Sequence, residues 1–132
     1  MSDKEKLHRK ILIITYGFSA GAERLFHELI KEEDKLGGNL TSMDSSRATF
    51  SNGTSIIKLS TSDSVDIIQK RKGFTHIYFS DSFTDVSGGE KFINNVLYSS
   101  LLDSNKYKNL DVSDDKENRF FTFNKKGEIS NY

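Results

Sequence analysis

The strongest constraint on the fold lies near the start of the chain, where an apolar segment runs into a glycine-containing turn and then into a helical pattern. Residues 11–16 read ILIITY and are apolar on both faces, which is typical of a central strand in a covered sheet. Residues 17–21 read GFSAG, and from residue 22 to residue 35 apolar side chains recur at helical spacing. A strand that enters a helix through a tight turn is typical of α/β domains. The N-terminus of such a helix directs free N–H groups and the positive end of its dipole toward the turn.

The rest of the chain continues to alternate between strand and helix patterns. Asn52-Gly53, between two strand-like segments, is the strongest short hairpin signal in the chain. The later predicted elements are a strand (39–43), a hairpin (47–59), a capped helix (61–72), a second buried strand (75–79), a helix (90–101) and a closing hairpin (119–130). A charged lead-in is predicted at residues 1–9, and a polar linker or loop at 103–118.

This alternation predicts a single α/β domain over residues 1–132. We expect a small three-layer fold with a mostly parallel sheet, flanking helices and antiparallel hairpin extensions. The chain is long enough to bury a core of its own but short for an enzyme with separate substrate and catalytic lobes.

Composition excludes several classes of protein. The chain has 19 basic and 19 acidic residues, so its formal net charge is zero and nucleic acid is not an expected partner. The absence of cysteine excludes disulfides, zinc–thiolate sites and thiol catalysis. No apolar run approaches the roughly 20 residues that span a bilayer, and the polar first residues are unlike a signal peptide. We therefore expect no membrane association and a cytoplasmic location. The lack of Pro and Trp, with abundant Lys, Ile, Asn, Ser and Phe, is typical of AT-rich phage or low-GC bacterial genomes.

Several elements occur in an order shared with one large family of ATPases. The glycine turn at 17–21 is followed by the hairpin turn at 50–56, by basic residues at 70–72, and by an apolar strand that ends before Asp81. Over roughly residues 8–101 the chain resembles the core of P-loop NTPases of the helicase and phage-terminase type. The resemblance implies a phosphate-binding loop at Gly17, Ser19, Gly21 and Glu23, with Asp81 supporting magnesium and ATP or GTP as ligand.

The loop departs from the family pattern at the positions that bind phosphate and magnesium. The P-loop pattern requires a glycine, four residues, and then Gly-Lys-Ser/Thr, whereas Gly21 is followed here by Ala22 and Glu23. Alanine cannot neutralise a phosphate, and a glutamate repels one. The acidic pair often found after the second strand is reduced to Asp81-Ser82. The loop is therefore a degenerate Walker A motif, and we expect ATP hydrolysis to be lost.

Two other interpretations of the same turn remain open. GFSAG matches the Gly-x-Ser-x-Gly nucleophile elbow of α/β-hydrolases, which would make Ser19 a nucleophile. A triad would then draw on His76, with Asp44, Asp63 or Asp66 as its acid. The third interpretation is structural: glycine permits the tight turn, and the Ser19 hydroxyl caps the helix.

The function that we expect from these patterns is non-catalytic. It is that of a small phage-type or mobile-element protein that regulates or inhibits a partner, such as a host or phage enzyme, through protein contacts, with no cofactor. The predicted contact surface is the Phe-rich C-terminal hairpin together with the acidic segment before it. A second copy of the chain is a candidate partner through an edge strand of that hairpin. The alternative is a nucleotide- or phosphate-binding protein with weak magnesium-dependent NTPase activity.

Other polar candidates have ordinary structural explanations. The aspartates of the predicted loops could together bind magnesium, although loop carboxylates commonly form caps and turns. They are Asp44, Asp63, Asp66, Asp81 and Asp85. His27 falls at the boundary of the apolar face of the first helix, where packing or exposure is the expected role.

Overall fold

The structure is a computed structural model that describes residues 9–60, 73–102 and 115–132. The helix predicted at 61–72 and most of the polar segment predicted at 103–118 lie outside these residues. The strands are β1 (Lys10–Thr15), β2 (Leu40–Met43), β3 (Arg47–Phe50), β4 (Ser55–Ser60), β5 (His76–Ser80), β6 (Phe120–Phe123) and β7 (Ile129–Asn131). Within the described ranges they form one seven-stranded sheet in the order β2-β3-β4-β1-β5-β6-β7.

The sheet is parallel at its centre and antiparallel at both edges. β1 lies between β4 and β5 and pairs in parallel with both, so that Ile13 is opposite Lys58 on one side and Tyr78 on the other. β6 continues the parallel arrangement beyond β5. The hairpin partners β2–β3 and β6–β7 pair antiparallel, and β3 joins β4 antiparallel. This arrangement confirms the predicted α/β fold, with its parallel core strands and antiparallel hairpin extensions.

Helices cover the two faces of β1. Helix α1 (Ala20–Lys35) packs its apolar stripe, which includes Leu25 and Phe26, against the face that carries Ile11 and Ile13. The opposite face carries Leu12 and Ile14, which belong to a second core cluster with residues of the helical segment after β5. Because successive strand residues point to opposite faces, a run that is apolar at every position requires a layer on each side.

The helical segment after β5 is less regular than the sequence predicts. It consists of α2 (Gly89–Phe92), a π-helical turn (Ile93–Leu97) and a 3₁₀ turn (Tyr98–Ser100). Asn and Ser occupy much of the segment and are weak helix formers. The wide turn nevertheless keeps Ile93 and Leu97 fully buried against the sheet.

Two predicted loop regions contain short 3₁₀ turns. The residues directly after β5 form one turn (Asp81–Asp85), in which Phe83 is only 2% exposed and anchors the segment in the core. The other turn (Lys116–Arg119) lies at the end of the predicted polar loop and leads into β6. Arg119 is buried there, and its guanidinium donates hydrogen bonds to the carbonyl oxygens of Thr75 (3.1 Å) and Leu102 (2.9 Å).

Two Phe residues of the C-terminal hairpin, the predicted contact surface, lie in the core, and a partner contact through the hairpin stays a prediction. Phe120 and Phe123 lie on opposite faces of the sheet and are only 2% and 1% exposed. Phe121 is partly buried and stacks on Tyr78, with the ring centroids 4.9 Å apart. Two covered faces take up these side chains, which leaves little of them for a partner.

A buried carboxylate fixes the far end of α1 to the β3–β4 hairpin. Glu33 is 4% exposed, and its Oε2 accepts hydrogen bonds from Asn52 Nδ2 (3.0 Å) and Thr54 Oγ1 (3.3 Å). Arg9 lies 3.7 Å from the other oxygen. Hydrogen bonds and a cation therefore offset the cost of removing this charge from water. None of the helices within the described ranges combines the length and apolar character needed to cross a bilayer.

We predict that His76 makes the fold acid-sensitive. Burial, together with the charges of Arg9 and Arg119, lowers the pKa of His76 from 6.5 to about 4. The unfolded chain therefore binds a proton at this position between about pH 6.5 and pH 4, whereas the folded chain does not, and stability falls as the pH falls through this window. In urea unfolding at pH 7 and at pH 4.5, His76→Gln should lose less stability on acidification than the wild type.

The exposed His27 on α1 supplies the matched control for this experiment. His27→Gln should retain the wild-type loss of stability on acidification. A loss in His76→Gln as large as that of the wild type would contradict the assignment of the acid sensitivity to His76.

Candidate functional site

A cavity of about 450 Å³ opens at the edge of the sheet where the parallel strands end. Its lining comes from the end of β1, the turn at residues 17–19, the first turn of α1, and residues 58–60 at the end of β4. The cavity therefore lies between the carboxyl ends of β1 and β4, which are parallel neighbours in the sheet. Ligands of open α/β sheets bind outside the carboxyl ends of the strands.

Hydrogen bonds fix the turn between β1 and α1. Gly17 has φ +74°, a conformation that favours glycine, and the Thr15 hydroxyl donates a 2.6 Å hydrogen bond to the Gly17 carbonyl. The Ser19 hydroxyl accepts a hydrogen bond from the Ala22 N–H at 3.2 Å, with Ser19 in extended conformation as the N-cap of α1. The structural role predicted for Ser19 is confirmed.

Gly21 faces the C-terminal hairpin and does not line the cavity. A Cβ atom at this position would lie 2.2 Å from the Asn124 carbonyl oxygen and 3.0 Å from the Gly127 nitrogen. Next to it, Arg24 donates a weak hydrogen bond of 3.4 Å to the Lys126 carbonyl. The close approach of the β6–β7 turn to α1 therefore accounts for the glycine, without a ligand.

Glu23, in the first turn of α1, pairs with a lysine of β4. Its Oε1 accepts a hydrogen bond from the Lys58 ammonium, which also lies 5.2 Å from the centre of the Phe26 ring. The Lys58 side chain is 12% exposed and that of Glu23 is 48% exposed. Lys58 is the only cation in the described lining of the cavity, and it is engaged by a carboxylate of the protein itself.

Sequence reasoning missed Lys58 as a site residue. The sequence does contain a signal for it, because Lys58 interrupts the apolar pattern of β4 between Ile57 and Leu59. A charged residue at such a position requires a partner or a path to solvent. Its partner lies 35 residues earlier in the chain, on another element.

The turn also presents two aromatic side chains to solvent. Phe18 is 88% exposed and lines the cavity, and Tyr16 is 52% exposed. The Tyr16 ring also makes an edge-on contact with Phe83, with the centroids 6.0 Å apart. We call Tyr16, Phe18 and Glu23 the aromatic rim. Sequence reasoning overlooked Phe18, which occupies a variable position of the Gly-x-Ser-x-Gly pattern.

The structure separates Ser19 and His76, the proposed nucleophile and base of the hydrolase triad. His76 begins β5 and is opposite Ile11, four residues before the end of β1, whereas Ser19 follows that end. The distance along the strand is about 13 Å. His27 is exposed on α1 and contacts the Phe26 ring.

The candidate aspartates that the structure describes occupy turns. The Asp44 carboxylate accepts hydrogen bonds from the backbone N–H groups of Ser46 (2.8 Å) and Arg47 (2.9 Å), and the Ser46 bond is the main cause of the lowered pKa of Asp44. Asp81 begins the 3₁₀ turn after β5 and is exposed, as is Asp85. Across residues 9–60, 73–102 and 115–132, no group of three His, Asp or Glu side chains is arranged to hold a metal ion. Asp63 and Asp66 lie outside these ranges, and a metal at Asp81 stays a prediction.

No protein-family model matches the chain, and no curated protein shows significant similarity to it. The function of the chain is therefore inferred from its own geometry.

We predict that Gly21→Ala destabilises the protein, although helix propensity alone would favour alanine at a helical position by about 1 kcal/mol. The added methyl group would overlap the Asn124 carbonyl, so that either α1 or the β6–β7 turn must shift. Overpacking of this kind costs about 1–3 kcal/mol. Denaturant unfolding measures the sign of the change.

Gly17→Ala is the matched control within the same turn. Nothing lies within 4 Å of a Cβ atom there, and the only expected cost is that of the positive φ, about 1–2 kcal/mol. A stabilised Gly21→Ala variant would contradict the close contact between α1 and the hairpin turn.

Proposed function

We propose that this protein is a non-catalytic, cytoplasmic binding protein that contacts a partner protein through the aromatic rim. The observation that carries the proposal is the 88% exposure of Phe18 on a turn whose backbone is fixed. A protein of this kind acts by occupying a surface of its partner, as a regulator or an inhibitor does.

The exposed aromatic residues support protein binding on energetic grounds. Aromatic side chains bury large areas and are enriched among the residues that dominate binding energy at interfaces. The Thr15 and Ser19 hydrogen bonds hold the turn that carries Phe18 in one conformation. Binding then costs less conformational entropy than it would for a loose loop.

The state of the cavity's polar side chains supports a non-catalytic role. The Ser19 hydroxyl accepts the helix-capping hydrogen bond, and Lys58 is held between Glu23 and the Phe26 ring. Each of these groups thus has a structural partner in the described part of the protein. A nucleophile or an electrostatic catalyst would need freedom to engage a substrate.

A second candidate function, residual binding of ATP or GTP with magnesium, is favoured by the sheet topology. β5 is the parallel neighbour of β1, and Asp81 directly follows β5 at the edge that carries the cavity. The resemblance to P-loop NTPases implies this neighbourhood of strands. A phosphate would have to compete with Glu23 for Lys58.

Phe18→Ala tests the principal proposal. We expect the immobilised wild type to retain a partner protein from an extract of the source cells, and we expect Phe18→Ala to lose that protein. The reason is that an aromatic contact buried at an interface contributes about 2 kcal/mol or more to binding. The unfolding midpoint of the variant should stay close to that of the wild type, since Phe18 is exposed.

Leu36→Ala is the control for exposed apolar residues in general. Leu36 is 59% exposed and follows the other end of α1. Its substitution should leave the retained protein in place. Equal losses with both variants, or retention by Phe18→Ala, would contradict a contact through the aromatic rim.

Thermal unfolding with millimolar ATP or GTP and magnesium separates the two candidate functions. If the protein binds a partner protein and no nucleotide, the midpoint of thermal unfolding should not change. Nucleotide at 100 times its dissociation constant would add about 2.7 kcal/mol of stability, a clear rise in the midpoint of a domain of this size. A magnesium-dependent rise that Asp81→Asn abolishes and Asp85→Asn preserves would establish the nucleotide site instead.

A further inference from the structure

Glu23 is the more exposed member of the ion pair at the aromatic rim. The Glu23 side chain is 48% exposed, whereas that of Lys58 is 12% exposed and packs against the Phe26 ring. The carboxylate is therefore more accessible from solvent than the ammonium. Asp81 follows the end of β5 and is exposed, so it adds negative charge to the same edge of the sheet.

The Glu23 carboxylate has room for a second cation. The Lys58 ammonium binds Oε1, and no donor within the described ranges binds Oε2. A carboxylate has about four lone-pair sites on its two oxygens and commonly accepts several hydrogen bonds. The nearest basic residue on α1, Arg24, is directed instead toward the Lys126 carbonyl of the β6–β7 turn.

An exposed aromatic ring lies on the lining of the same cavity. Phe18 and Glu23 both line it, and Phe18 is 88% exposed. An aromatic face and a carboxylate together favour a cation, because the ring quadrupole and the negative charge both attract it. A guanidinium suits this pair better than an ammonium does. It is planar, so it stacks on the ring, and it is forked, so it donates hydrogen bonds to a carboxylate in parallel.

We infer that the partner presents an arginine side chain to the aromatic rim, with its guanidinium paired to Glu23 and its face on Phe18. The inference rests on the proposed function and specifies the chemistry of the partner. The apolar stem of the arginine would cover part of the exposed aromatic surface while its charge binds the carboxylate. An acidic partner would meet Glu23 first and would have to displace it from Lys58 before gaining a cation.

Selection from an unbiased library of displayed heptapeptides on the immobilised wild-type protein tests the inference. We expect the retained peptides to share an arginine. The binding of one such labelled peptide is then measured, together with versions in which Lys or Met replaces the arginine. Met should weaken binding at least tenfold and Lys by a smaller factor, because Lys keeps the charge but loses the planar fork.

Variants of the protein locate the contact. Phe18→Ala and Glu23→Gln should each weaken binding of the arginine peptide about tenfold or more. Glu28→Gln, which removes an exposed carboxylate further along α1, should not change it. Thermal unfolding of each variant establishes that it is folded before binding is compared.

The outcomes distinguish the inference from the proposed function. Selected peptides that depend on Phe18 but lack arginine, that are enriched in Asp or Glu, or that bind Glu23→Gln as tightly as the wild type would overturn the inference and leave the proposed function standing. A selection that yields no Phe18-dependent peptide would overturn both.

Discussion

The rest of the structure depends on the burial of β1 on both faces. Ile11, Leu12, Ile13 and Ile14 are at most 5% exposed, and consecutive residues cannot all be buried unless each face of the strand has its own covering layer. α1 supplies one layer and the segment after β5 supplies the other. The strand therefore occupies the centre of the sheet, with parallel neighbours on both sides, and its end meets theirs at one edge. The site lies at this edge because the core requires β1 to be central.

The glycines of the β1–α1 turn show why a local pattern is a weak guide to function. Gly17 is needed for a positive φ, and Gly21 for the close approach of the β6–β7 turn. Phosphate loops use glycine for closely similar reasons, since a backbone that must turn sharply or approach another group cannot carry a side chain. Packing and turn geometry thus give a sufficient reason for the same residues at nearly the same spacing. What separates the two cases is the residue after the second glycine, and here Ala22 and Glu23 give the helix start no lysine.

Local signals in the sequence were sufficient for most of the fold, whereas contacts between distant residues decided the site. The alternation of apolar residues predicts β1, α1 and the Asn52-Gly53 hairpin close to their observed bounds, because periodicity and turn chemistry are local properties. The burial of Phe120 and the exposure of Phe18 cannot be read in the same way. Phe120 lies in a strand pattern and Phe18 follows one, and the packing of other elements decides which ring is covered. The Glu23–Lys58 pair and the contact between Gly21 and Asn124 likewise join positions whose proximity is set by the topology of the sheet.

The Glu23–Lys58 ion pair bears on which class of ligand suits the cavity. A helix N-terminus favours an anion and a lysine beside it favours the same, so this corner of an α/β fold is well suited to a phosphate. In this chain the Glu23 carboxylate supplies that negative charge from within the protein and satisfies both. Lys58 and the helix start therefore have an anion without a ligand, whereas the Phe18 ring is not covered by the described part of the chain. The cation of the site already has a carboxylate partner, whereas Oε2 of Glu23 and the Phe18 ring stay open within the described ranges. This combination favours the proposed protein contact over a phosphate.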